Sequence, residues 1–386
     1  MTILNLPPAA EPNSRGVVHL RVLSEKGEPL PGAVLPDLSP EKWLSIYRGM
    51  VLTRVLDGKM LILQRQGRIG FVGTATGLEA AVIASGAAFE PQDWIFPALR
   101  EGGVAVYRGM PLVEYVGQMF LNCHDTSKGR QMNNHFQHRG SHFVSWSSCI
   151  GTQLPQAVGA AYAAQIRSQG TVMCGYLGDG ATSSPEFHAA ATFAGVWKAP
   201  VVFVCIDNGW AISVPSSAQS ASRSFGSKAE AYGFPGVDVD GNDAAAVYRE
   251  TRAAVDRARA GGGPSLVALK SYRILGHSSS DDPTRYRDPS EVEAWKAADP
   301  IDRLGAFLER KGWLHADAAM RLRESLEAEV DRAIDEAAAA PKLPLRALVD
   351  DVYARVTPRL VAQHDELVRV LDRFGDPTAA EGRFPL

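Results

Sequence analysis

Cysteine is scarce: four residues in 386, Cys123, Cys149, Cys174 and Cys205, with no CxxC pair. That spacing argues against a disulfide framework and a cysteine zinc site. The four read as buried thiols of a reducing compartment, and the expected location is cytoplasmic. An excess of one charge is also lacking. Forty Lys and Arg stand against 43 Asp and Glu, for a net charge of −3. No basic surplus exists to grip nucleic acid, and no long block of like charge occurs. No run of 18 apolar residues appears, so no membrane span is expected. Met1–Ser14 has no basic n-region and no long apolar run, and it carries Glu11 and three prolines. It reads as neither a signal nor a transit peptide. What the chain does have is 45% hydrophobic residues against 22% charged ones, enough for a large core. At roughly 150 residues per domain, the length allows two or three domains, or one large α/β domain with appendages.

Residues 1–40 are rich in Pro and Gly and read as an extended arm, with one short strand at Val17–Leu23. From Pro40 the pattern turns helical, with Trp43, Ile46, Tyr47 and Met50 at i, i+3, i+4, i+7 and Glu41 in the first turn. Val172–Leu177, Val201–Ile206 and Ser265–Lys270 are strand-like, and the first two are nearly continuous in apolar residues. Such runs suit strands buried on both faces of a parallel sheet. Between those two lies a helical stretch, Glu186–Gly195, capped either by Ser183 with Glu186 or by Ser184 with Pro185 at the first position. Strand, turn, helix, strand is a right-handed βαβ unit. Pro155–Ile166 and Asp317–Ala339 are also helical, the latter amphipathic and best read as covering the core. Residues 276–290 read as a long polar loop. The fold class is therefore α/β, a doubly wound, mostly parallel sheet. It occupies 41–386, with a helical region at its C-terminal end.

Chemistry concentrates in two turns. Gly178-Asp179-Gly180 follows one buried strand, and Asp207-Asn208-Gly209 follows the next. Both lie where open α/β sheets bind ligands, beyond the carboxyl ends of adjacent strands. One reading is a dinucleotide site with Asp207 on the ribose, but Ser183 stands where that fingerprint wants Gly or Ala. Asp179 would also repel a pyrophosphate unless a cation lay between them. Asp179 and Asn208 supply oxygen ligands suited to Mg²⁺ bridging a diphosphate. The plain alternative is two ordinary tight turns. Elsewhere, Gly276-His277-Ser278-Ser279-Ser280 is similar to a hydrolase elbow, but the last Gly is Ser, and Asp281-Asp282-Pro283 prevents direct entry into a helix. His135, His138 and His142 have the spacing of zinc ligands on a helix, but Asn133, Asn134 and Gly140 argue against a helix there.

The Gly178-Asp179-Gly180…Asn208 pattern resembles the thiamine diphosphate signature. Lys128-Gly129-Arg130-Gln131-Met132, Thr152-Gln153-Leu154-Pro155-Gln156-Ala157-Val158-Gly159, Ala211-Ile212-Ser213, and Gly276–Pro283 with Tyr286-Arg287 resemble the α chain of 2-oxo acid dehydrogenases. The likeness runs from about residue 41 to 355 and is nearest the branched-chain (2-oxoisovalerate) branch. It implies oxidative decarboxylation of a small 2-oxo acid with thiamine diphosphate and Mg²⁺, the acyl group passing to a lipoyl-bearing acyltransferase. It also implies a separate β subunit in an α₂β₂ heterotetramer, because a second half-site, contributing a glutamate, must hold the aminopyrimidine. Pyruvate or acetoin dehydrogenase α chains are the alternatives within the family.

Carried over residue by residue, the resemblance gives Asp179, the Asn208 side chain and the Trp210 carbonyl as Mg²⁺ ligands. Arg100 matches a diphosphate-binding arginine, Ser148 and Ile150 match cofactor contacts, and Gly178 and Gly180 flank the metal ligand. His277 matches a catalytic loop histidine near the diphosphate. Ser147, Cys149, Thr152 and Gln153 match a K⁺-binding turn of some relatives, and Ser278 a position phosphorylated in some. The chain departs from the pattern at Ala98-Leu99, where Tyr and Gln are common, and at Ile206, where some relatives carry a second arginine. Trp210 replaces Tyr, and Ser184 replaces a common Glu. Phe71 and Val72 are candidate walls of the substrate pocket.

Overall fold

The computed structural model describes residues 17–375. The Met1–Ser14 reading lies outside them. The described elements run in order α1 (Pro40–Arg65), α2 (Glu79–Ala87), β1 (Trp94–Phe96), α3 (Gly102–Tyr107), α4 (Leu112–Phe120), α5 (Gln153–Ile166), β2 (Met173–Gly178), α6 (Pro185–Trp197), β3 (Val201–Asp207), β4 (Trp210–Ala211), β5 (Val214–Pro215), α7 (Ser216–Gln219), β6 (Gly236–Asp240), α8 (Ala244–Arg259), β7 (Ser265–Lys270), α9 (Pro289–Lys296), α10 (Pro300–Arg310), α11 (Ala316–Ala339) and α12 (Pro358–Phe374).

Five strands form one wholly parallel sheet in the order β1-β2-β3-β7-β6, and β4 and β5 make a small antiparallel ribbon. The apolar runs do what their composition demands. In β3, Val202, Val204 and Ile206 join the core that includes α1, α2 and α8, while Val201, Phe203 and Cys205 join the core that includes α5 and α6. A strand with apolar side chains on both faces can satisfy them only between two helical layers. The chain steps β1 to β2 to β3 in one direction, then returns from β6 to β7, with α8 on the face opposite α5 and α6. Right-handed crossovers require that change of face when the direction reverses.

Helix starts follow their caps. Ser39 accepts from the Lys42 amide (3.3 Å), with Pro40 at the first position. Of the two caps considered for α6, Ser184 is the one used, accepting from the Phe187 amide. The helix of 317–339 lies on the core, burying Leu326, Val330 and Ile334.

Some expectations need correction. Val17–Leu23 is not a strand: Leu20 bridges Val239 of β6, and Leu23 bridges Pro29. The amides of Val22 and Leu23 turn instead to the buried Asp243 carboxylate (2.6 and 2.7 Å), which takes them out of any ladder. The polar loop of 276–290 contains a 3₁₀ turn at Pro283–Arg285 and gives way to α9 at Pro289. Cys174 and Cys205 are buried, but Cys123 and Cys149 are exposed, because both lie in loops rather than in the strands that bury the other two. All four are free thiols. No described helix is long and apolar enough to cross a membrane.

Candidate functional site

Strands β2 and β3 pair so that Gly178 lies opposite Ile206, which brings the two turns beyond them side by side. Beyond β7, the chain passes through Ser271–Leu275 to His277. These exits meet in a cleft of about 540 Å³ lined by Arg100, Ser148, Ile150, Gly178, Asp179, Gly180, Asn208, Trp210 and His277. Every residue carried over for thiamine diphosphate, Mg²⁺ or catalysis thus lines one cavity. Its remaining wall is largely apolar and includes Phe71, Leu99, Trp146, Ile206 and Ile212. Val72 is not on it: that side chain is buried, and its backbone instead pairs with Ser279. Of the residues matched to a K⁺ turn, Ser147 and Gln153 line the cleft, and the Thr152 hydroxyl donates to the Cys149 carbonyl (3.0 Å).

Asp179 is buried, and burial and then neighbouring Asp207 push its carboxyl up to about 6. The Ser216 hydroxyl reaches both carboxylates, Asp207 at 2.8 Å and Asp179 at 3.2 Å, while Lys270 pairs with the other Asp207 oxygen at 3.1 Å. The Asn208 side-chain oxygen accepts from the Trp210 amide (3.1 Å) and holds that turn. The Trp210 carbonyl accepts from Arg273 at 3.3 Å, leaving a second lone pair.

Arg100 is buried. Its guanidinium donates to the Thr74 carbonyl and to the His277 carbonyl (2.9 Å), and it lies 3.3 Å from His277 Nδ1. Burial and Arg273 lower its pKa to about 10, so it stays cationic at neutral pH. Burial, followed by Arg100 and Arg273, pushes His277 down to about 4, which keeps the imidazole neutral. Asp281 closes the loop: its carboxylate accepts from the His277 amide (2.6 Å) and from the Tyr286 hydroxyl. Tyr286 and Arg287 of the loop motif act on the scaffold. Arg273 donates to Tyr286 (2.7 Å), and Arg287 donates to the carbonyls of Arg273 and Ile274.

Four groups escape the sequence reading: Arg273, Glu101, Ser216 and Lys270. Glu101 is buried in the cleft wall and pushed up to about 7 by that burial. For Arg273, between Tyr272 and Ile274, the available signal was a charge placed just past the end of an apolar strand. The histidine cluster does not assemble. His135 bonds Ser148 (2.6 Å), His142 stacks on Trp94, and no helix spans them. No group of three or more potential metal-binding His, Cys, Asp and Glu side chains occurs among the described residues. Gly276–Ser280 does not run into a helix, so the hydrolase elbow is absent.

The donor set can be tested against an Mg²⁺–diphosphate group. A carboxylate, an amide oxygen and a carbonyl are hard oxygen donors, one charged and two neutral, as Mg²⁺ with phosphate oxygens prefers. A Cβ added at Gly178 would meet no atom within 4 Å, so the glycine leaves open space beside the donors. The cationic Arg100 suits a phosphate. The residues present fit the group.

Residues 47–346 match the family model of the dehydrogenase E1 component. The chain is 40% identical over 361 residues to 2-oxoisovalerate dehydrogenase subunit alpha 2, mitochondrial, of Arabidopsis thaliana, covering 93% of this chain and 76% of that one. It is 38% identical over 362 residues to the Homo sapiens 2-oxoisovalerate dehydrogenase subunit alpha, mitochondrial (94% and 81%). Against the pyruvate dehydrogenase E1 component subunit alpha of Staphylococcus aureus it is 38% identical over 347 residues (90% and 91%).

Proposed function

The chain belongs to the dehydrogenase E1 component family, and from that premise we propose that it is the α subunit of a branched-chain 2-oxo acid dehydrogenase acting on 2-oxoisovalerate-type acids. One observation carries the reading: Asp179, Asn208, Trp210, Arg100 and His277 share a single cleft whose remaining wall is largely apolar. When bound, thiamine diphosphate supplies the carbanion and electron-accepting ring that decarboxylation requires. Asp179, Asn208 and the Trp210 carbonyl would hold Mg²⁺, and Arg100 would meet the diphosphate. Ser148 and Ile150 would touch the cofactor from the facing loop. The apolar wall excludes water and suits an aliphatic side chain. His277, neutral and aimed by Arg100 and Asp281, can donate or accept a proton or hydrogen bond beside the diphosphate. A K⁺ in the turn around Ser147 and Gln153 belongs to the same reading.

We place the chain in an α₂β₂ assembly with a β subunit, handing its acyl product to a lipoyl-bearing acyltransferase, and its compartment in the cytoplasm. The pyruvate dehydrogenase relative, covered over 91% of its length, makes pyruvate the second reading. The test is steady-state turnover of the purified αβ complex on 2-oxoisovalerate, pyruvate and acetoin. The first should have the highest kcat/KM. Preference for pyruvate or acetoin sinks the branched-chain reading, and no turnover of any of them sinks the family chemistry for this chain.

A further inference from the structure

Asp179 does not hold its place alone. It stands on the turn after β2, beside a second buried acid, Asp207, at the end of β3. Two neighbouring carboxylates repel, and a carboxylate on a glycine-flanked turn has little of its own to fix its rotation. The short helix α7 supplies what is missing at two points. Ser216, its first residue, shares its hydroxyl between Asp207 (2.8 Å) and Asp179 Oδ2 (3.2 Å). Gln219, its last, donates to the Gly180 carbonyl (3.3 Å) and to Ser183 (2.5 Å), clamping the same turn from the other side. Ser216 is itself pinned: its amide donates to the Gly209 carbonyl (2.9 Å), and Asp207, which it bonds, is held by Lys270 from the neighbouring strand. Asp207 and Lys270 are direct partners in the β3–β7 register, so the backbone sets that pair.

On the metal reading of the preceding subsection, we infer that Ser216, fixed by Asp207 and Lys270, is a positioning residue for Asp179. With one oxygen of Asp179 tied to Ser216, the carboxylate keeps the other for the cation, in a fixed orientation before any cation arrives. Removing the hydroxyl leaves the ligating group itself in place and takes away the bond that orients the carboxylate and favours its ionised form.

The test uses the αβ complex with thiamine diphosphate and Mn²⁺ as a paramagnetic stand-in for Mg²⁺, reading free Mn²⁺ by electron paramagnetic resonance. Ser216→Ala should weaken Mn²⁺ binding about tenfold, the scale of one hydrogen bond to a charged group. Ser216→Thr, which keeps a hydroxyl, should stay within twofold of wild type. The apparent Mg²⁺ requirement for turnover should rise in Ser216→Ala while kcat at saturating Mg²⁺ changes little. In a Lys270→Met background the Ser216→Ala loss should shrink, because the hydroxyl has already lost its anchor. Binding within twofold of wild type in Ser216→Ala overturns the inference, as does an equal loss in Ser216→Thr, which would mark a packing role. If the wild-type complex itself takes up no cofactor-dependent Mn²⁺, the metal reading fails, and this inference with it.

Discussion

At the scale of single residues, the site works by setting charge states through burial. His277 keeps a neutral imidazole because burial and two guanidiniums disfavour its protonation. Its pKa in the fold, about 4, lies below the ordinary 6.5 of an unfolded chain. Between those values the unfolded state binds more protons, so lowering the pH from 6.5 towards 4 must favour unfolding. His277→Gln should flatten the decline of Tm over that window, as thermal melts at stepped pH would show. The same variant tests the other side of His277. Turnover of the overall reaction should fall by about 10²-fold or more, the low end for a positioned acid–base group. Wild-type turnover in the variant complex would return His277 to an ordinary loop histidine. Asp179→Asn removes the one charged donor of the set while keeping its shape. Mg²⁺-dependent binding of thiamine diphosphate should be lost by calorimetry, with the far-UV circular dichroism unchanged. Undiminished affinity would remove Asp179 from the metal site.

At the scale of elements, the turn carrying Asp179 is anchored by the helix on its C-terminal side. Helix α6 begins at Pro185 behind the Ser184 cap, and the Asp179–Ser183 turn leads directly into that cap. Ser184→Ala leaves the Phe187 amide without its side-chain acceptor and should cost about 1 kcal/mol in chemical denaturation, the usual size of a cap. Further along α6, Gly195 lets the helix approach the Tyr232 carbonyl, which a Cβ would meet at 2.1 Å. Because the obstacle is backbone, Gly195→Ala should lower Tm more than the cap variant does. The element that sequence periodicity could not anticipate is α7. Four residues give no period, and its role depends on Asp179 and Gly180, 37 and 39 positions from the α7 residues that bond them.

Across the whole molecule, the carboxyl ends of β2, β3 and β7 gather the residues that the proposed function assigns to one half of a cofactor site, the Mg²⁺–diphosphate half. The described residues show no second parallel sheet on which to build the other half. On α5 and α6, Ile166, Phe193 and Val196 are each at least half accessible. The isolated chain should therefore neither decarboxylate a 2-oxo acid nor gain much from cofactor. A complete site at about 100-fold excess over its Kd gains about 2.7 kcal/mol, and denaturation of the αβ complex with and without thiamine diphosphate should approach that. Comparable decarboxylation by the α chain alone would overturn the half-site argument.

What the sequence by itself determined is whatever is local or periodic. The both-face burial of β2 and β3 came from nearly continuous apolar runs, the start of α1 from Pro40 with Glu41 in the first turn, and Gly178-Asp179-Gly180 and Asn208 from their places after strands. Which distant residues would meet was decided only by the tertiary structure. Asp207 finds Lys270 because β7 inserts beside β3, Arg100 finds His277 across 177 positions, and Asp243 draws the arm off β6 and cancels an expected strand. Cys149 and Cys205 are identical in type, yet a loop exposes one and a central strand buries the other. Pairing across a sheet depends on strand order, and strand order is set by how two helical layers pack, which no short window of residues records.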